Sequence, residues 1–233
     1  AAAAQRLCHG PFRPLAEVVS GPPVAPSGSD IVRPFDQSGE PVLSSASRIQ
    51  EAALARFARQ GFDATSMNEI AADAGLKKPS VYGHFRSKDE LYLSLVPLLI
   101  ESELAFAASA IRGGKTLRKQ LYAYLKGIRR RYQESHAVQF WMGALVHPPA
   151  HIHDQVIMPM HDFMDALEAT IVRAIASSEL ADNAAGLSCE DLARAVMSMI
   201  DSLQSELIYG GPVKFRRRLE SVWAVFEAAT RLP

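Results

Sequence analysis

Lys78, Pro79, Ser80, Tyr82 and His84 fall within one short stretch, and their side chains are of the kinds that touch nucleic acid. The Lys78 ammonium can donate to guanine O6 and N7 or to a phosphate oxygen, and the Ser80 hydroxyl is small enough for base edges or backbone. Tyr82 and His84 suit phosphate contacts, which position a helix without reading sequence. A second grouping, His147, His151, His153 and His161, offers nitrogen ligands of the kind a metal site uses.

Spacing separates the two possibilities. Pro148-Pro149 lies between His147 and His151, so those two do not share one continuous helix face, and His151 and His153, two positions apart, diverge on a helix. The sequence contains neither a His-Glu-x-x-His pattern nor a cysteine partner for these histidines. It also offers no nucleophile, paired carboxylates or phosphate-binding loop. A helical metal-dependent enzyme or metal sensor built on the histidines is therefore the alternative. The leading expectation is a non-enzymatic, cofactor-free protein that binds double-stranded DNA.

The elements that must hold Lys78 to His84 in place follow from caps and periodicity. Ser47-x-x-Gln50, Ser66-x-x-Glu69 and Ser87-x-x-Glu90 each precede an apolar run and mark three helix starts. Ile49, Ala53, Phe57 and Phe62 give the first helix an inward face, with Arg48, Arg56 and Arg59 mostly outside it. Gly61 suits a left-handed helix end. Ile70, Ala71 and Ala74 form the buried side of the second helix, and Gly75 supplies the positive φ of a sharp turn. Pro79 fits the first turn of the third helix, where no backbone donor is needed. Val81 and Phe85 then point inward, leaving the opposite face for the major groove of DNA.

This segment resembles the TetR family of bacterial transcriptional regulators. The resemblance rests on Ile49, Ala52-Ala53-Leu54, Phe57, Gly61-Phe62, Thr65-Ser66, Ile70-Ala71, Ala74-Gly75-Leu76, Val81-Tyr82, His84-Phe85 and the run Ser87 to Leu91. It implies an all-α homodimer with a three-helix helix-turn-helix DNA-binding domain at residues 45–91. It further implies a helical ligand-binding and dimerisation domain at 92–233, whose small inducer releases the protein from a palindromic operator. On this pattern Lys78, Pro79, Ser80, Tyr82 and His84 face DNA, while Lys88 and the amide-rich helix start near Thr65 and Ser66 contact phosphate. Gly83 departs from the pattern, since many relatives carry a larger side chain there. Either a base contact is missing or the backbone approaches DNA closely.

Charge gives no global field: 25 Lys and Arg balance 25 Asp and Glu, and residues 47–91 carry seven basic against six acidic side chains. DNA binding must then rest on local placement of cations and on dimer avidity. Cys8 and Cys189 show no metal or disulfide spacing, so a reduced, cytoplasmic compartment is expected. No membrane span is expected, because no run reaches the roughly 18 apolar residues one requires. Seven prolines between Pro11 and Pro41 make residues 1–44 a flexible extension by expectation.

Beyond Leu91 a fourth helix should run from Lys88 towards Ala110, kinked or split at Pro97, and a fifth from Leu117 to Glu134. Arg129-Arg130-Arg131 on the fifth reads as a solvated basic face. Phe140, Trp141 and Leu145, with Phe163, Met164 and Leu167 on a helix from about Met160 to Ser177, are the expected walls of a site for a hydrophobic inducer. The last two helices meet at Gly210-Gly211. Their stripes, Leu192, Val196, Met199, Leu203 and Leu207 on one and Leu219, Val222, Trp223 and Phe226 on the other, are the expected dimer interface.

Overall fold

The computed structural model describes residues 44–114, 116–183 and 185–231. The proline-rich segment expected to be a flexible extension lies outside them except for Ser44. Among the described residues, nine α-helices and one short 3-10 turn follow one another with no strand. The all-α expectation therefore holds.

The first three helices build the head. Helix α1, Ser45–Gln60, is capped by Ser44, whose hydroxyl accepts the Ser47 amide at 3.1 Å. The cap thus falls three residues before the one that Ser47-x-x-Gln50 suggested. Helix α2, Met67–Asp73, carries the complete reciprocal box between Ser66 and Glu69. Helix α3, Lys78–His84, follows with Pro79 in its first turn. Ile49, Ala53, Phe57, Ile70, Ala71 and Val81 close one small core between them.

Gly75 makes the α2–α3 turn with φ +63°, and a Cβ there would stand 2.9 Å from the Arg48 guanidinium. That guanidinium is fixed, because it donates to the Ala74 carbonyl at 2.5 Å. Gly75→Ala therefore combines left-handed backbone strain of about 1–2 kcal/mol with displacement of Arg48. The expected result is a loss of at least that size in unfolding free energy, read as a lowered urea midpoint. An unchanged midpoint would mean the turn is not held as described.

Helix α4, Lys88–Ala110, passes through Pro97 as one helix and is not split. Ser87 accepts the Glu90 amide at 3.0 Å, while the Glu90 carboxylate takes the Arg86 amide at 2.7 Å, one residue before the reciprocal box position. With a mean hydropathy of 1.6, α4 is long and apolar enough to cross a membrane, contrary to the sequence expectation. Here it is a core helix: Leu91, Leu95, Leu99 and Ile100 are buried, and it packs on α1 and on helix α7, His153–Ala176.

The remaining helices form the body with α4. They are α5, Leu117–Glu134; α6, His136–Val146; the 3-10 turn Ala150–Ile152; α7; α8, Cys189–Tyr209; and α9, Gly211–Ala229. Helix α7 begins earlier than expected because it carries Pro159 inside it, where the sequence reading had placed a boundary. Ser188 caps α8 by accepting the Asp191 amide at 3.0 Å, and Gly211, at φ +70°, with Pro212 opens α9.

Arg118 at the start of α5 donates to both the hydroxyl and the carbonyl of Thr230, at 2.6 and 2.7 Å, and so ties down the end of α9. The stripes on α8 and α9 require a correction. Leu192, Val196, Met199 and Leu203 are buried within the single chain against α5, α7 and α9. Leu219, Trp223 and Phe226 are buried too, and Leu207 and Val222 are half-buried against the same core. These side chains are core of the single chain and do not form an uncovered stripe.

Candidate nucleic-acid interface and cavity

Val81 and Phe85 anchor α3 from below, which turns Lys78, Pro79, Ser80, Tyr82 and His84 outward, all exposed. The Lys78 ammonium lies 5.7 Å from the Tyr82 ring centroid, one helical turn away. Between Asp73 and Asp89 the chain carries no carboxylate at all. Lys77, Lys78 and Arg86 are exposed, and among the described residues none of the three is in an ion pair. Lys77 and Arg86 are additions to the expected DNA face, and the acid-free interval was the signal for them.

The acids of α2 are neutralised from behind. Arg56 on α1 holds Asp73 through contacts of 2.6 and 2.9 Å and Glu69 at 3.0 Å. The hydrogen bond from Arg56 keeps the Asp73 carboxyl below its ordinary range, and the Ser66 amide and hydroxyl do the same for Glu69. Arg56 therefore sits among carboxylates, and the cations near α3 face solvent. A nearly neutral head presents a basic surface.

Three expected phosphate contacts are committed elsewhere. Thr65 is buried, and its hydroxyl donates to the Gly61 carbonyl at 2.7 Å. Ser66 spends its hydroxyl and amide on Glu69, whose carboxylate already fills the start of α2. Lys88 donates to the carbonyls of Phe62 and Thr65 at 2.7 and 2.9 Å, with its ammonium 4.0 Å from the Phe62 ring centroid. Its first role is to fasten the α1–α2 loop to α4. Gly83 is open: a Cβ there meets nothing of the chain within 4 Å.

Head and body meet in an aromatic cluster. Tyr92 of α4 lies 5.1 Å from Phe57, 5.4 Å from Phe62 and 4.8 Å from Phe140, centroid to centroid. Burial pushes the Tyr92 hydroxyl up to about 12. Phe140, expected at an inducer wall, belongs to this cluster and also touches Phe57. Its neighbour Trp141 points the other way, because consecutive residues on a helix face directions about 100° apart.

Trp141 lines a cavity of about 320 Å³. Leu145, Phe163, Met164 and Leu167 also line it, with Trp141 and Phe163 edge to face at 4.7 Å. The polar lining was not foreseen. Glu103 of α4 and Arg131 of α5 pair at 2.5 Å in the wall, and Arg131 also stacks 3.7 Å above Phe106. Arg131 is thus drawn inward from a run that reads as solvated. Tyr124, Asp201, Gln204 and Ser205 add to the polar side, and desolvation holds the Asp201 carboxyl above its ordinary value.

The four histidines do not converge. His151 pairs with Asp89 at 3.0 Å and packs on Phe62, while His153 pairs with its neighbour Asp154. His147 and His161 are exposed, and among the described residues no three His, Cys, Asp or Glu side chains gather as metal ligands would.

Residues 49–95 match the family described as bacterial regulatory proteins, tetR family. The chain is 33% identical over 90 residues to the HTH-type transcriptional activator FasR of Mycolicibacterium smegmatis, an alignment spanning 39% of this chain and 38% of that protein. It is 28% identical over 139 residues to the HTH-type transcriptional repressor BdcR of Escherichia coli, spanning 59% of this chain and 69% of BdcR. In fold it is similar to Salmonella enterica GusR, with a TM-score of 0.61, 19% identity and coverage of 80% of this chain and 95% of that one.

Proposed function

Because residues 49–95 match the tetR family of bacterial regulatory proteins, we propose that this chain is a regulator of that kind, which binds a palindromic operator as a homodimer and is released by a small hydrophobic inducer. The acid-free, outward face of α3 is the observation that carries the DNA half of this reading. Lys78, Ser80, Tyr82 and His84 enter the major groove, with Lys77 and Arg86 on flanking phosphates. A regulator of this kind acts in the cytoplasm, by binding and without catalysis.

The partner copy is met by what one chain leaves uncovered. On α9, Val213, Ser221, Ala224, Val225 and Ala228 share an exposed outer face, and Tyr209 at the end of α8 is 78% exposed. Lys214 and Arg217 share this face, and the small and apolar side chains around them suit packing of helices across a two-fold axis.

Two side chains support coupling between cavity and head. Glu103 brings α4 into the cavity wall, and α6 carries Trp141 into the cavity and Phe140 into the aromatic cluster. A ligand that displaces Trp141 moves Phe140 against Phe57 and Tyr92 and so tilts the head. Loss of the matched half-site spacing then releases DNA, which makes the protein a repressor by linkage. BdcR is named a repressor and FasR an activator, so the relatives span both signs.

Selection of bound duplexes from a random library, at two salt concentrations, tests the DNA half. The expected result is an enriched palindrome whose binding weakens as salt rises. Absence of enrichment at both concentrations would overturn the reading.

A further inference from the structure

The proposed inducer site carries a charge imbalance that bears on what it accepts. Two carboxylates, Glu103 and Asp201, line the cavity against one guanidinium, Arg131. Glu103 and Arg131 are only 12% and 21% exposed, and they answer each other at 2.5 Å. The stacking of Arg131 on Phe106 fixes that pair in the wall. It is therefore internally neutral and leaves Asp201 over. The Asp201 carboxylate has no ion-pair partner and no side-chain hydrogen bond among the described residues. It stands on the exposed side of α8.

Aromatic rings supply the second observation. Trp141, Phe163 and Tyr124 all line the same space. Ring faces attract cations, most strongly where water is excluded, and aromatic walls with one carboxylate are the usual recognition chemistry for ammonium ions. The remaining walls, among them Leu145, Leu167 and Ile200, are hydrocarbon.

We infer that the cavity takes an amphipathic monocation, an ammonium ion bearing an apolar tail, with its head held by Asp201 and the aromatic rings and its tail along Leu145, Leu167 and Ile200. The inference rests on the inducer reading above and narrows it. An anionic ligand of the same shape meets an unpaired carboxylate, and a neutral one leaves that carboxylate partly desolvated and unanswered.

The test is calorimetric titration of the full chain with octyltrimethylammonium, octanol and octyl sulfate, each below its micelle concentration. The ammonium ion is expected to bind at least tenfold more tightly than octanol, with octyl sulfate weakest. Asp201→Asn, at an exposed position that the fold does not depend on, should bring the ammonium ion down to the level of octanol while leaving octanol unchanged. Leu167→Trp, which fills the cavity, should remove binding of all three. Equal or tighter binding of octanol or octyl sulfate, binding of none, or a cation preference that survives Asp201→Asn would each overturn the inference. Addition of the ammonium ion to the protein bound to its selected duplex separates this from the wider reading. Asp201-dependent binding without DNA release upholds the ligand class and overturns the inducer role. Release by octanol or octyl sulfate as effective as by the ammonium ion upholds the inducer role and overturns the ligand class.

Discussion

Lys78→Ala with Tyr82→Ala lowers affinity for the selected operator by about thirtyfold at the least, with the fold and oligomeric state unchanged. A side chain that contacts a base edge contributes about 1–3 kcal/mol, and the proposed two-fold assembly would lose every contact twice. The expected loss is about 2–6 kcal/mol, or between about thirtyfold and ten-thousandfold in Kd. Both side chains are exposed on α3, and their only mutual contact is the 5.7 Å approach of the ammonium to the ring. Their removal should therefore move stability by no more than about 0.5 kcal/mol. Fluorescence anisotropy on the labelled duplex measures the first quantity, and urea denaturation with sedimentation measures the second. Unchanged affinity would remove α3 from the DNA interface.

The largest expected stability effect lies at Phe140. The side chain is 3% exposed and wedged between Tyr92 and Phe57, so Phe140→Ala empties the centre of the head–body junction. A buried Phe→Ala change costs about 3–5 kcal/mol, a large share of the stability of a chain this size. Phe140→Leu keeps most of the volume and isolates the coupling. It should leave ligand binding intact, read from calorimetry, while shrinking the difference in DNA affinity with and without ligand. If that difference survives in Phe140→Leu, the cavity speaks to the head through Glu103 and α4 and not through α6.

The head was largely legible in the sequence because its signals are local. Ser66 with Glu69, Gly75 and the inward pair Val81 and Phe85 all act within one or two turns of themselves. The cavity's polar lining was not legible, since Glu103, Arg131 and Asp201 come from three helices and meet only after packing. Lys88 illustrates the same limit: no spacing rule aims an ammonium at the carbonyls of Phe62 and Thr65, 26 and 23 residues away. Periodicity also identifies an apolar face without saying what covers it. That is why the Leu192 to Leu203 stripe read as an interface and proved to be core. Phe140 and Trp141 were read as one wall, although the helix sends adjacent side chains to different sides.

Helix α4 has a consequence for how the chain is made. Its partners within the head lie just upstream, so α1 to α3 can assemble as soon as the first turns of α4 emerge. The apolar side chains further along it, Leu95 to Ile100, wait for α7, whose last residue is Ala176, before they are covered. During that interval on the ribosome, the one helix among the described residues that is long and apolar enough to cross a membrane is exposed, and uncovered apolar surface of this kind invites association between nascent chains. The body is then sealed late, when Thr230 reaches Arg118 across 112 residues of sequence. Trimming the last turn of α9 should therefore lower the yield of folded chains more than it lowers the stability of those that fold.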